Sequence, residues 1–205
     1  KNVAVTPLFL PDIAILDADL TLGLPRHVTA ATGIDAMVHA IEAYTGKFKK
    51  NPISDLMAKE ALRLMAGSIR NAVSDGCNKK AREDMLLGAM LAGQAFANSP
   101  VAAVHALAYP LGGHFHIPHG LSNSLVLPHV MRFNINDAAK LYAELAPIIL
   151  QEGNLVGTDK EISNQLIDGI ESLIQEIGLP TTLREMNIEE NFLPNLAEDA
   201  MLQQR

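Results

Sequence analysis

The 205-residue chain is 48% hydrophobic, 4% aromatic and 19% charged, with a formal net charge of −7; it can bury a sizeable core, and its acidic balance without long charge runs argues against a nucleic-acid surface. The single cysteine, Cys77, excludes an internal disulfide or a multi-cysteine metal site and suits a reduced, cytoplasmic setting. No apolar run approaches the roughly 18 residues that cross a bilayer, and the opening segment lacks a signal-peptide pattern, so neither a membrane span nor export is expected.

Residues 1–24 read differently from the rest. Val3-Ala4-Val5 and Ile13-Ala14-Ile15-Leu16 are short β-branched runs separated by Pro7 and Pro11, which predict one or two short strands. Two strands do not make a stable sheet alone, so they pair against the helices or belong to a sheet outside these residues. From Pro25, suited to the first turn of a helix, the pattern is helical. Ile34, Met37, Val38 and Ile41 recur at spacings of three and four, and Gly46 follows as a stop. Asn51-Pro52 opens a second helix whose stripe runs Met57, Ala61, Leu64, Met65, Ile69, Val73. A third is expected over 79–98, with Gly88, Ala89, Ala92, Gly93 and Ala95 as a narrow packing face. A short helix over 101–113 ends at Gly112-Gly113, and 114–118 reads as a loop. His119-Gly120 opens a helix through to Phe133, kinked at Pro128. Helices over 137–151 and 159–177 follow, and 182–204 gives one or two short ones. The fold class is mainly α: a helical-bundle-like domain over 25–205, preceded by the strand-bearing 1–24.

Four of the seven histidines lie in VHALAYPLGGHFHIPHG, Val104 to Gly120. Asp35 and His39, in TGIDAMVHAIEAY, are four apart and share one helical face. They form either an ordinary polar face or half of a metal site. His105 and His119 are fourteen apart across a glycine-containing turn that could return one helix onto the next. With Asp35 and His39 they make three nitrogens and one oxygen, a set for Fe²⁺ or Zn²⁺ rather than Ca²⁺ or Mg²⁺. A divalent ion so held is a Lewis acid for an alcohol or carbonyl oxygen. His114, His116 and His119 form a rival HxHxxH cluster, and spacing does not decide between the two. His27 and His129 read as ordinary helix-surface positions or as residues behind the ligands.

GIDAMVHAIEAY, NPISD and VHALAYPLGGHFHIPHGLSNSLVLPHVMRFN together resemble the signature segments of the iron-containing (group III) alcohol dehydrogenase family, along the whole chain and in the same order. The resemblance implies a dehydroquinate synthase-like fold: an N-terminal α/β domain for NAD or NADP, then a helical domain holding the metal, with the active site between them. It implies Asp35, His39, His105 and His119 as ligands of Fe²⁺ (Zn²⁺ as the alternative), which selects His119 over His114 and His116. It implies hydride transfer between a small alcohol or aldehyde and the nicotinamide, in a homo-oligomer.

Two departures stand out. Many family members have HxxxHPLGG, where this chain carries Tyr109; that position faces the nicotinamide or proton path, so Tyr109 and His119 are the catalytic candidates and Leu20 and Tyr109 the cofactor contacts. The family's GGGS pyrophosphate loop does not occur in this sequence. Residues 1–24 resemble the last strands of the cofactor domain, so the chain is expected to be the metal-binding half of a longer enzyme and inactive alone. The alternative is a helical metal-binding or interaction module without redox activity. A metal-dependent phosphohydrolase, the third reading, commonly shows adjacent His-Asp pairs, and the chain has none.

Overall fold

The structure is a computed structural model and describes residues 10–203. Among the described residues, seven α-helices follow a 3-10 turn at Ala18–Thr21: α1 Arg26–Thr45, α2 Pro52–Ser74, α3 Lys79–Asn98, α4 Ala103–Phe115, α5 His119–Leu150, α6 Asp159–Glu176 and α7 Leu193–Met201. Two more 3-10 turns, Arg184–Met186 and Glu190–Phe192, lead into α7. The mainly helical class is the one expected.

The helix starts follow local chemistry. Asn51 caps α2, its side chain accepting from the Ile53 and Ser54 amides while Ser54 reaches back to the Asn51 amide. Thr158 and Glu161 do the same at α6, and Asn78 caps α3. Each such cap satisfies amides that lack an intrahelical acceptor.

α1 is the central helix. It is buried almost all round, from Thr29 through Tyr44, as a helix enclosed by neighbours must be. α2, α3 and α5 pack around it, α6 packs on α5, α4 packs on α5 and α7 packs on α4. The main core joins α1, α2, α5 and α6, with Ile34, Ile41, Met65, Leu145, Leu166 and Ile167 almost wholly buried. A second cluster of Leu111, Ile117, Leu125, Ile188 and Leu196 seats α7 under α4. Gly88 lets α3 approach α2: a Cβ there would lie 2.5 Å from Met65 Cγ and 3.2 Å from the Ala61 carbonyl.

Three expectations change. Ile13–Leu16 is not a strand; it is exposed, since a strand needs a neighbour for its amides and carbonyls and no strand occurs among the described residues. The other expected strand, 3–5, lies outside those residues. The glycine pair does not end α4, which runs on to Phe115 with Pro110 inside it; His116, in a left-handed conformation (φ 55°), makes the turn instead. The two helices expected over 119–133 and 137–151 are one, α5, continuous through Pro128 and Pro147.

Candidate metal centre

Three helices bring four side chains to one point. Asp35 and His39 lie on one face of α1, His105 in the first turn of α4, and His119 is the first residue of α5. One ligand-type atom from each lies within 4.8 Å of all the others. His105 Nε2 is 3.0 Å from His39 Nε2 and 3.8 Å from Asp35 Oδ1, and His119 Nε2 is 3.6 Å from the same oxygen. Close approach of the helices makes this possible. A Cβ on Gly120 would lie 2.4 Å from the Ala31 carbonyl oxygen and 3.3 Å from Asp35 Cβ, so only glycine seats the start of α5 on α1 here.

The centre is graded in exposure. The His105 side chain is 2% exposed, Asp35 18% and His119 41%, so the open side is at His119. Tyr109, one turn beyond His105, stacks on the His119 ring at 5.7 Å between centroids. Phe96 of α3 stacks on His39 at 4.6 Å. Burial, the largest cause, lowers the His39 pKa to about 4; Asp35 raises it, and His105 and His119 lower it further. A neutral imidazole is the form that ligates a metal.

Two groups not singled out from the sequence complete the centre. Glu42, 4% exposed, accepts from His105 Nδ1 at 2.6 Å with one carboxylate oxygen and from the Val104 amide at 2.7 Å with the other. Asn123, fully buried, donates through Nδ2 to Asp35 Oδ1, and the same nitrogen lies 3.2 Å from Nε2 of both His105 and His119. Their signal was an extension of the spacing already noted. Glu42 is three residues after His39, and Asn123 four after His119, each on the same face as its neighbour.

The arrangement fits a cation. Three imidazoles and one carboxylate suit a borderline divalent ion. One buried polar atom of the centre, Asn123 Oδ1, has no hydrogen-bond partner. Three rings and a carboxylate whose ligand atoms converge within 4.8 Å, beside that orphaned polar atom, make a polar centre that a cation completes.

The other expected residues lie elsewhere. His114 pairs with Asp199 of α7 at 2.6 Å and His116 is the exposed turn residue after α4, so the rival HxHxxH cluster does not assemble. Leu20 sits on the 3-10 turn Ala18–Thr21 and is 83% exposed.

The fold and site thus define a helical domain with a pre-assembled Asp/His₃ centre where three helices meet. The chain belongs to the Fe-containing alcohol dehydrogenase family: the pattern of that family's C-terminal part matches residues 29–205. It is 43% identical to long-chain-alcohol dehydrogenase 1 of Geobacillus thermodenitrificans over 205 residues, all of this chain and 51% of that protein. It is 40% identical to the 1,3-propanediol dehydrogenase of Citrobacter freundii over 201 residues, 98% of this chain and 51% of that one. Among solved structures, a 1,3-propanediol oxidoreductase superposes with a TM-score of 0.87 at 39% identity, covering 91% of this chain and 48% of that chain. The sulfoacetaldehyde reductase of Bifidobacterium kashiwanohense, solved in complex with NAD⁺, superposes with a TM-score of 0.83 at 31% identity, covering 96% of this chain and 50% of that one. The chain therefore spans about half the length of these relatives.

Proposed function

We propose that the chain is the metal-holding part of an NAD(P)-dependent alcohol dehydrogenase, interconverting a small alcohol and its aldehyde or ketone, with Asp35, His39, His105 and His119 as the ligands. The observation that carries this reading is the convergence of those four ligand atoms within 4.8 Å in a chain of the iron-containing family. Family membership favours Fe²⁺, and the donor set accepts Zn²⁺ equally. A bound divalent ion supplies Lewis acidity that stabilises negative charge on the substrate oxygen.

The chain's own residues do the rest. His105 and Glu42 form the dry floor, where low exposure strengthens every charge interaction. His119 borders the open side, so the substrate enters there. Tyr109, stacked on His119, offers a phenolic hydroxyl to the proton path beside the reacting oxygen. Leu20, exposed on its 3-10 turn, supplies an apolar contact to the nicotinamide cofactor. The nucleotide is held by a part of the enzyme outside these residues, in a cytoplasmic homo-oligomer.

Equilibrium titration with Zn²⁺, followed by chelator competition, tests the ligand set. The parent chain binds one equivalent; His105→Ala and His119→Ala each abolish binding while far-ultraviolet circular dichroism is unchanged. Retained binding in both variants overturns the assignment. With Fe²⁺, NAD⁺ and a short alcohol, the 205 residues alone are expected to produce no reduced nicotinamide. Brisk turnover overturns the claim that the cofactor site lies elsewhere.

A further inference from the structure

We propose that Glu42 is the positioning residue of the metal centre: its carboxylate fixes the His105 ring in the one tautomer that presents a bare Nε2 to the cation. This rests on the metal-centre reading above and adds to it a residue that touches no metal itself.

Three observations carry it. Glu42 and His105 are 4% and 1% exposed, so water does not compete for either group. Both carboxylate oxygens are engaged, one by His105 Nδ1 at 2.6 Å and the other by the Val104 amide at 2.7 Å. Val104 lies in the first turn of α4, where amides have no intrahelical acceptor. One buried group therefore anchors the end of α4 and the ring that α4 carries.

A proton on Nδ1 leaves Nε2 bare. That nitrogen is the one turned toward His39 Nε2 and Asp35. A carboxylate hydrogen-bonded to the far nitrogen of a ligand histidine also raises the basicity of the ligating nitrogen, and its loss weakens metal binding by about 10- to 100-fold.

Glu42→Gln separates this role from packing, because the two side chains have nearly the same shape. Glutamine has one acceptor oxygen where Glu42 uses two. Turned one way, its NH₂ faces the Val104 amide, donor against donor. Turned the other way, its NH₂ faces His105 Nδ1 and favours the tautomer with the proton on Nε2, aimed into the centre. Neither orientation reproduces both bonds.

The test is Zn²⁺ affinity of the full chain by chelator competition, together with long-range ¹H–¹⁵N NMR of the histidine rings in the metal-free protein. In the parent, His105 is expected as the Nδ1–H tautomer. In Glu42→Gln, Zn²⁺ affinity falls about 10- to 100-fold and the His105 signals shift toward the Nε2–H tautomer, with helical circular dichroism retained. Parental Zn²⁺ affinity in Glu42→Gln overturns the proposal. So does an Nε2–H tautomer of His105 in the parent, a measurement that stands even where the variant does not fold. Failure of the parent itself to bind Zn²⁺ overturns the metal-centre reading instead.

Discussion

Burial beside two other imidazoles holds His39 neutral down to about pH 4, against 6.5 for an ordinary histidine. The depression has a stability consequence of definite sign. Between those two values the unfolded chain binds a proton at His39 that the folded chain refuses, so folding stability rises with pH across that window and is lost as pH falls through it. For one proton the slope is at most about 1.4 kcal/mol per pH unit. Denaturant unfolding of the metal-free chain, in steps from about pH 4 to about pH 7, should show this slope, and His39→Gln should flatten it. An unchanged slope in the variant would assign the proton uptake to another group. Added metal moves in the same direction, because protons and cations compete for the same nitrogens. Zn²⁺ affinity therefore also falls as the pH is lowered.

At the scale of elements, two glycines in the His-rich segment do opposite things. Gly120 is the contact between α5 and α1, and a Cβ there would lie 2.4 Å from the Ala31 carbonyl oxygen. Gly120→Ala forces these helices apart beside His119, so it should destabilise by about 1–3 kcal/mol, the usual cost of overpacking, and weaken Zn²⁺ binding. Gly113 lies inside α4 with nothing within 4 Å of its Cβ position. Gly113→Ala should stabilise by about 0.5–1 kcal/mol through helix propensity and leave Zn²⁺ binding unchanged. Denaturation and Zn²⁺ titration of the pair check both signs, and matching behaviour would refute the role given to Gly120. The same contrast shows where the sequence could be read. Periodicity locates α1 and α2, and the helices expected over 79–98 and 159–177 match α3 and α6 to within a residue. Breaker residues misled, because Gly112-Gly113 reads as a stop and the segment around Pro128 and Phe133 as a boundary, while packing on α1, α6 and α7 carries α4 and α5 through them. Ile13–Leu16 misled for the converse reason: β-branched composition reports fitness for a pleated surface, not the presence of one. In the centre, spacing gave Asp35 with His39 and left His119 level with His114 and His116. Only the family resemblance chose among them, and the fold places His119 at the cluster. Glu42 and Asn123 lie one turn from predicted ligands, but spacing alone does not show that a side chain is buried.

For the whole molecule, the centre ties together segments far apart in the chain: α1 at Asp35 and His39, α4 at His105, α5 at His119. These helices also carry much of the main core, so an ion that binds only the assembled centre stabilises the entire domain. Linkage sets the size at about 2.7 kcal/mol when free metal is at 100 times its dissociation constant. At about 2–4 °C per kcal/mol for a chain of this length, Zn²⁺ should raise Tm by about 5–11 °C. A core variant remote from the centre tells local linkage from general rigidification. Leu166, fully buried on α6, shares no helix with the ligands, and Leu166→Ala should cost about 2–5 kcal/mol through the cavity it leaves. Perturbations without shared partners add, so the Zn²⁺ increment in free energy should be the same in this variant as in the parent, on a lower baseline. Asp35→Ala should do the reverse and abolish the increment. Thermal scans of the three proteins with and without Zn²⁺ measure both effects. A Zn²⁺ increment that survives in Asp35→Ala would move the cation to another site, and one that shrinks in Leu166→Ala would mean that the centre assembles only when α6 is tightly packed against α5.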